Sequence, residues 1–221
     1  MPTPVMLNWS GGKDSLLALA ALQADPAWQV VGLLTTISAE YQRIVMHGVR
    51  EALLDTQAEA LDLPLTKVYL PAAPDNSQYE TAMREATDTL KAKGIMHMAF
   101  GDLFLEDVRA YREKQLAEAG MKGVYPIWGQ DTTDTAQQFV DAGHRAVVVC
   151  VDGEQLSGDF CGCEYDAAFV ADLPDSVDPC GENGEFHSFA YDGPLFKQPV
   201  AFTRGEKVLR NERFYYQELL P

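Results

Sequence analysis

The chain has 221 residues and a formal net charge of −16, from 33 acids against 17 bases. That length suits one large domain or two small ones with ample core. The charge repels phosphate backbones and counts against a nucleic-acid partner, and no apolar run reaches the ~20 residues of a membrane span. The N-terminus has no basic region leading into an apolar core, so the cytoplasm is the expected location.

A first strand is predicted over about residues 4–9, followed by a helix to about Gln23 that Asp25-Pro26 ends. Trp28 to Ile37 is almost wholly apolar or β-branched, as a strand covered on both faces should be. Thr35, Thr36 and Ser38 lie at its carboxyl end. Residues 47–62 read as a helix with Val49, Ala52, Leu53 and Ala60 inward, and Leu65 to Leu70 as a third strand. Ser77-Gln78-Tyr79-Glu80 matches a capping box opening a helix to about Lys93, with Gly94 as its stop. A fourth strand, Ile95 to Phe100, ends in Gly101-Asp102, and another helix covers about 105–119.

Such alternation predicts an α/β fold, a parallel sheet with helices on both faces. After Pro126-Ile127-Trp128 the texture changes. A helix near 134–142 and a strand from Ala146 to Val151 precede a glycine- and acid-rich stretch. The last forty or so residues read as hairpins over 185–191, 200–203, 207–210 and 213–217, with turns at Gly193-Pro194 and Arg204-Gly205. Two domains are therefore expected, 1–128 and a smaller α+β unit, 129–221.

Chemistry concentrates first at Ser10-Gly11-Gly12-Lys13-Asp14-Ser15, between the first strand and its helix. Free amides and the positive end of the helix dipole make an anion site there. The glycines allow close approach, Lys13 adds a charge, and the Ser10 and Ser15 hydroxyls add donors. A Walker loop is excluded, because Leu7 stands where its first glycine belongs and Asp14 follows the lysine. Ligands of parallel sheets sit beyond the carboxyl ends of the strands, where Thr35, Gly101 and Asp102 also fall.

The second cluster runs from Asp178 to Ser188 and carries Glu182 and Glu185 between glycines. Alternation of two would put Glu185 and His187 on one face, with Phe186 and Ser188 on the other. Carboxylates beside a triphosphate can hold Mg²⁺ or orient an amine, and an acidic surface turn is the plainer reading. Cys161, Cys163, Cys180 and His187 could supply four zinc ligands, but the one-residue cysteine spacing lies outside the usual pattern. His47 sits at a helix start, facing the nucleotide or serving the fold; His97 is placed in the core, and His144 in a turn.

Ser10–Ser15 resembles the PP-loop of the ATP pyrophosphatases. Over nearly its whole length the chain resembles one branch of them, the diphthine–ammonia ligase family. That resemblance rests on Phe100-Gly101-Asp102 through Tyr111-Arg112-Glu113, on Pro126-Ile127-Trp128, on Gly181 to Phe186, and on Asp192-Gly193-Pro194-Leu195-Phe196. It departs where relatives read Glu-Gly-Gly-Glu-(Phe/Tyr)-Glu-Thr and this chain has Asn183, His187 and Ser188. A second departure is Gly162-Cys163, where relatives tend to carry an arginine after the glycine.

The resemblance implies a Rossmann-like (HUP-type) ATP domain with a C-terminal domain closing the site. It implies ATP-driven amidation of a carboxylate through an acyl-adenylate, releasing AMP and pyrophosphate. ATP would bind through Ser10, Gly11, Gly12, Lys13, Asp14, Ser15, Thr35 and Gly101. Lys13, Asp14, Asp102, Glu182 and Glu185 would act in catalysis, with Asp14, Glu182 and Glu185 as Mg²⁺ candidates. Asp14 has a second reading as a helix-capping residue. The partners are a small-molecule or protein-borne carboxylate and ammonia or an amine, and a homodimer is compatible. Two alternatives stand beside this reading. One is a tRNA-modifying or sulfur-transfer PP-loop enzyme using Cys161, Cys163 or Cys180; the other is a non-catalytic adenine-nucleotide binder.

Overall fold

A computed structural model describes residues 1–45 and 47–221. Among these the strands form two sheets. The first is built on β1 (Thr3–Asn8), β2 (Trp28–Ser38), β4 (Leu65–Leu70), β5 (His97–Ala99) and β6 (Lys122–Val124), all parallel, with the short antiparallel β3 (Arg43–Ile44) against the end of β2. Their order is β4-β2-β1-β5-β6, so β1 is central and the loop after it opens over the middle of the sheet. The second sheet is antiparallel, in the order β8 (Phe186–Asp192), β7 (Arg145–Asp152), β10 (Phe214–Leu220), β9 (Thr203–Arg210). The protein is thus Rossmann-like α/β with a second, antiparallel unit.

Period-two alternation along β1 divides the core. Val5 and Leu7 face α1 (Lys13–Ala24), α2 (Glu51–Ala60) and the second sheet, together with Trp9 just beyond the strand. Met6 faces the other way, toward α3 (Asn76–Ala92) and α4 (Glu106–Glu118). α1 buries Leu16, Leu17, Leu19 and Leu22, enough to occupy several faces of the helix, because it lies between the parallel sheet and β8. One aromatic-rich core therefore runs continuously from β1 through α1 to Phe186 and Phe189 of β8.

Several boundaries differ from the sequence expectations. α2 begins at Glu51 rather than near 47, because β3 and the turn around Gly48 (φ +70°) occupy the preceding residues. Ala52 is exposed, and the inward face instead uses Leu53, Leu54, Gln57 and Ala58. The capping box of α3 is Asp75 with Gln78, two residues earlier than the serine that the pattern favoured. α5 (Thr132–Asp141) starts at an Asp131 cap, and α6 (Ala167–Asp172) forms where no helix was predicted, opened by an Asp166 cap. Residues 200–202 form no strand; β9 begins at Thr203. His97 lies half-buried, edge-on to Trp28, rather than fully in the core.

Gln57 joins the parts. Its side chain is 0% exposed; Oε1 accepts from Trp9 Nε1 at 2.7 Å, while Nε2 donates to the Gly11 and Ala190 carbonyls at 2.9 and 2.5 Å. Replacing Gln57 by Leu keeps the volume but strands the Trp9 donor and removes the amide from the Ala190 carbonyl, while the Gly11 carbonyl keeps the Ala190 amide. Each buried orphan costs ~1–3 kcal/mol, so the variant should lose about 2 kcal/mol or more in urea unfolding. A change below about 1 kcal/mol would show that the amide is dispensable.

Candidate active site

Gly11 adopts φ +78°, and a Cβ there would meet Leu54 at 2.8 Å, so the loop packs down onto α2. The Gly11 carbonyl accepts from Ala190 N at 2.8 Å as well as from Gln57. Gly12 is the N-cap of α1 and offers no side-chain cap, leaving that helix start to other partners. Lys13 N donates to Ser188 Oγ at 3.1 Å, Gly12 N to Ser10 Oγ at 3.2 Å, and Ser15 Oγ to the Gly12 carbonyl at 2.9 Å. The loop is therefore shaped from below by α2 and from the side by β8.

It opens onto a cavity of about 400 Å³. Loop and helix residues from Ser10 to Ser15, except Gly11, form one wall; Gly101, Asp102 and Arg112 form a second; residues 180–188 contribute a third. The cavity thus unites Ser10, Gly12, Lys13, Asp14, Ser15, Gly101, Asp102 and Glu182. Gly101 belongs there for a steric reason: a Cβ would come within 2.7 Å of the Asp14 carbonyl.

Three expected residues fall outside the lining. Gly11 turns toward α2. Thr35 is 1% exposed within β2, and its hydroxyl has no partner among the described residues. Glu185 is 2% exposed and holds its own loop, accepting from Asp178 N and Asn183 Nδ2 at 3.0 Å each. Phe186 and Ser188 both meet Lys13, through its ammonium and its amide, as period-two alternation requires, while His187 stacks on His47; all three line the cavity.

Lys13 is only 2% exposed. Its ammonium contacts Asp14 Oδ1 at 2.5 Å and the Cys180 carbonyl, and lies within 5.6 and 5.8 Å of the Tyr165 and Phe186 ring centres. Burial alone would lower its pKa; the Asp14 charge more than offsets this and keeps it cationic. Burial pushes Asp14 upward against the pull of Lys13. Asp102 faces Arg112, with Nε–Oδ2 at 3.0 Å, and is raised first by burial and also by Asp14. Glu182 accepts from Leu103 N at 2.8 Å and is pushed up to about 7, by burial first, then by the Asp14 and Asp102 charges.

Three carboxylates whose charges oppose one another favour a cation between them. Mg²⁺ usually keeps one or two carboxylates and takes phosphate oxygens for the rest, and Asp14, Asp102 and Glu182 fit that use. Glu185 does not. Among the described residues no group of three metal-ligating side chains forms a site by itself. Cys180 Sγ turns to the Thr132 carbonyl, Cys161 Sγ to that of Tyr215, and Cys163 is exposed.

His47 and His187 also line the cavity, their rings stacked at 4.5 Å and 21°. Burial, with His187 beside it, holds His47 well below the usual range; burial and Lys13 hold His187 at about 4. Both are neutral imidazoles at neutral pH. Asn8 joins the site unannounced, Cys180 and Ser188 come from the second cluster, and Arg112 lay within a quoted motif without a role.

Fold and loop define a Rossmann-like PP-loop protein of the ATP-dependent ligase class. Residues 3–123 match the diphthamide synthase N-terminal domain and residues 131–218 the diphthamide synthase C-terminal domain. The chain belongs to the diphthamide synthase family. It is similar to the diphthine–ammonia ligase of Bos taurus, 26% identical with 90% of this chain and 82% of that protein covered. The Homo sapiens enzyme of that name is 25% identical, with 91% and 84% covered. One from Schizosaccharomyces pombe is 23% identical across 90% of this chain, which spans only 36% of that protein's length. No helix among the described residues is long and apolar enough to cross a membrane.

Glu182 yields a pH test. Its folded value of about 7 lies above the ordinary 4.5, so the proton is held more tightly in the folded protein. The resulting stability is complete below the ordinary value and is lost as pH rises through the folded one. Relative to Glu182→Gln, the wild-type protein should therefore lose stability between about pH 5 and about pH 8 in urea unfolding. A difference that is flat across this window would mean that Glu182 is ionised normally.

Proposed function

We propose that the protein activates a carboxylate by adenylation and passes the acyl group to ammonia. The observation that carries this is the start of α1, whose N-cap glycine supplies no side-chain cap, opening with Asp14, Asp102 and Glu182 onto one cavity. ATP would lie with its β,γ-phosphates on Ser10, Gly12 and Ser15, leaving the α-phosphorus toward Asp102 and Glu182. The relatives' name, diphthine–ammonia ligase, supplies the expectation of a carboxylate and ammonia as co-substrates.

In this reading Lys13 and the helix start stabilise charge on the departing pyrophosphate, and Asp14 steadies the lysine. Mg²⁺, held by Asp14 with phosphate oxygens, would neutralise further charge. Glu182 is suited to accept a proton from the attacking amine, since a base poised near neutrality transfers protons most effectively. The Leu103 amide keeps that carboxylate directed into the cavity. The neutral His47–His187 pair adds no positive charge that would compete with a cation there.

Sulfur transfer is a poorer account. It needs a reactive thiolate, whereas burial pushes Cys161 to about 11 and Cys180 to about 12.

The test is the nucleotide product. ATP with a competent carboxylate and ammonium should give AMP and pyrophosphate, and ADP as the main product would refute adenylation. Lys13→Met keeps the stem beside Tyr165 and Phe186 but removes the charge. It should lower the rate of pyrophosphate release at least ~100-fold. A parallel thermal melt distinguishes that loss from unfolding, and full activity in a folded variant would remove Lys13 from the chemistry.

A further inference from the structure

A second cavity, of about 330 Å³, lies on the opposite face of the parallel sheet, between α3 and α4. Its floor is apolar, made by Met83, Met98, Phe100 and Leu116, and Tyr79 and Tyr111 stand at its sides. Asn8 and Arg112 line both this cavity and the loop cavity, so the two meet at the carboxyl ends of β1 and β5. Its volume lies within the range of small-molecule sites.

Arg112 stands at the junction. Its guanidinium lies 4.5 Å from the centre of the Phe100 ring. Nη2 donates to Asp102 Oδ1 at 3.3 Å, while Nε lies 3.0 Å from Oδ2 without hydrogen-bond geometry, so Nε and Nη1 have no hydrogen-bond partner among the described residues. A guanidinium has five donors in a planar fork, so one carboxylate does not exhaust it. Resting on the proposed adenylation, we propose that the α3–α4 cavity is the acyl-substrate pocket. It takes a free carboxylic acid with a compact apolar or aromatic body, whose carboxylate is drawn to Arg112 and so toward the α-phosphate. A quaternary-ammonium body is a poor fit, because the Phe100 face is already covered by a guanidinium and the wall carboxylates Glu80, Asp88 and Glu118 stand against Arg84 and Lys91, with Asp88 paired to Lys91 at 2.8 Å.

Methionine methyl NMR tests this on the full chain, because Met83 and Met98 line the cavity. Millimolar phenylacetate should shift both methyl signals, and phenylacetamide and glycine betaine should not. Arg112→Gln should weaken phenylacetate binding about tenfold, the worth of a charge-assisted hydrogen bond. Met83→Trp should block phenylacetate while leaving the dissociation constant of ATP unchanged. Shifts caused by ATP itself, with ATP affinity lost in Met83→Trp, would make the cavity the adenine site and overturn the proposal. Equal binding of acid and amide, preference for betaine, or silent methyls with phenylacetate and hexanoate would each overturn it too. These readouts concern binding alone, so ADP formation would defeat adenylation while leaving the pocket assignment to be judged on the methyl signals.

Discussion

The amide of Gln57 is the contact on which the site depends. A buried primary amide can serve two acceptors and one donor at once, and here it serves Gly11, Ala190 and Trp9. Those three belong to the phosphate loop, the second sheet and the end of the central strand. A glycine loop left to itself samples many conformations, and its entropy opposes binding. Gln57, with the Ala190 amide on the same Gly11 carbonyl, removes that freedom before a ligand arrives. Preorganisation of this kind is what makes backbone amides effective partners for an anion.

Electrostatics in the cavity follow from this rigidity. Lys13 lies beside two aromatic rings and is kept cationic by Asp14, in a place where an unpaired ammonium would be costly. The carboxylates opposite are crowded enough to resist ionising together. Lys13 on Asp14 and Arg112 on Asp102 set a near balance of charge there. The paired imidazoles are neutral and leave it undisturbed.

Much of this was legible in the residues. Apolar runs marked β1 and β2, and strand–helix alternation gave β4 and the parallel sheet. The phosphate loop could be read because six adjacent residues carry the whole device. What escaped was set by tertiary contact. β3 and β6 span two and three residues, too few for any periodicity to register. Gln57 looks like a solvent-facing residue until Gly11 and Ala190 are beside it. Glu185 matched the motif, yet its carboxylate closes its own turn. Arg112 and Asn8 gain meaning only when two cavities are seen to share them.

The bonds from Ala190 and Ser188 to the phosphate loop carry one more implication. The cradle is completed by a strand more than 170 residues downstream of the glycines it steadies. An occupant that touches both the glycine loop and residues 180–188 strengthens the grip between the two halves of the chain, and by reciprocity that grip raises the affinity for the occupant. Nucleotide level and mechanical cohesion become two readings of a single equilibrium: a starved protein is a looser one.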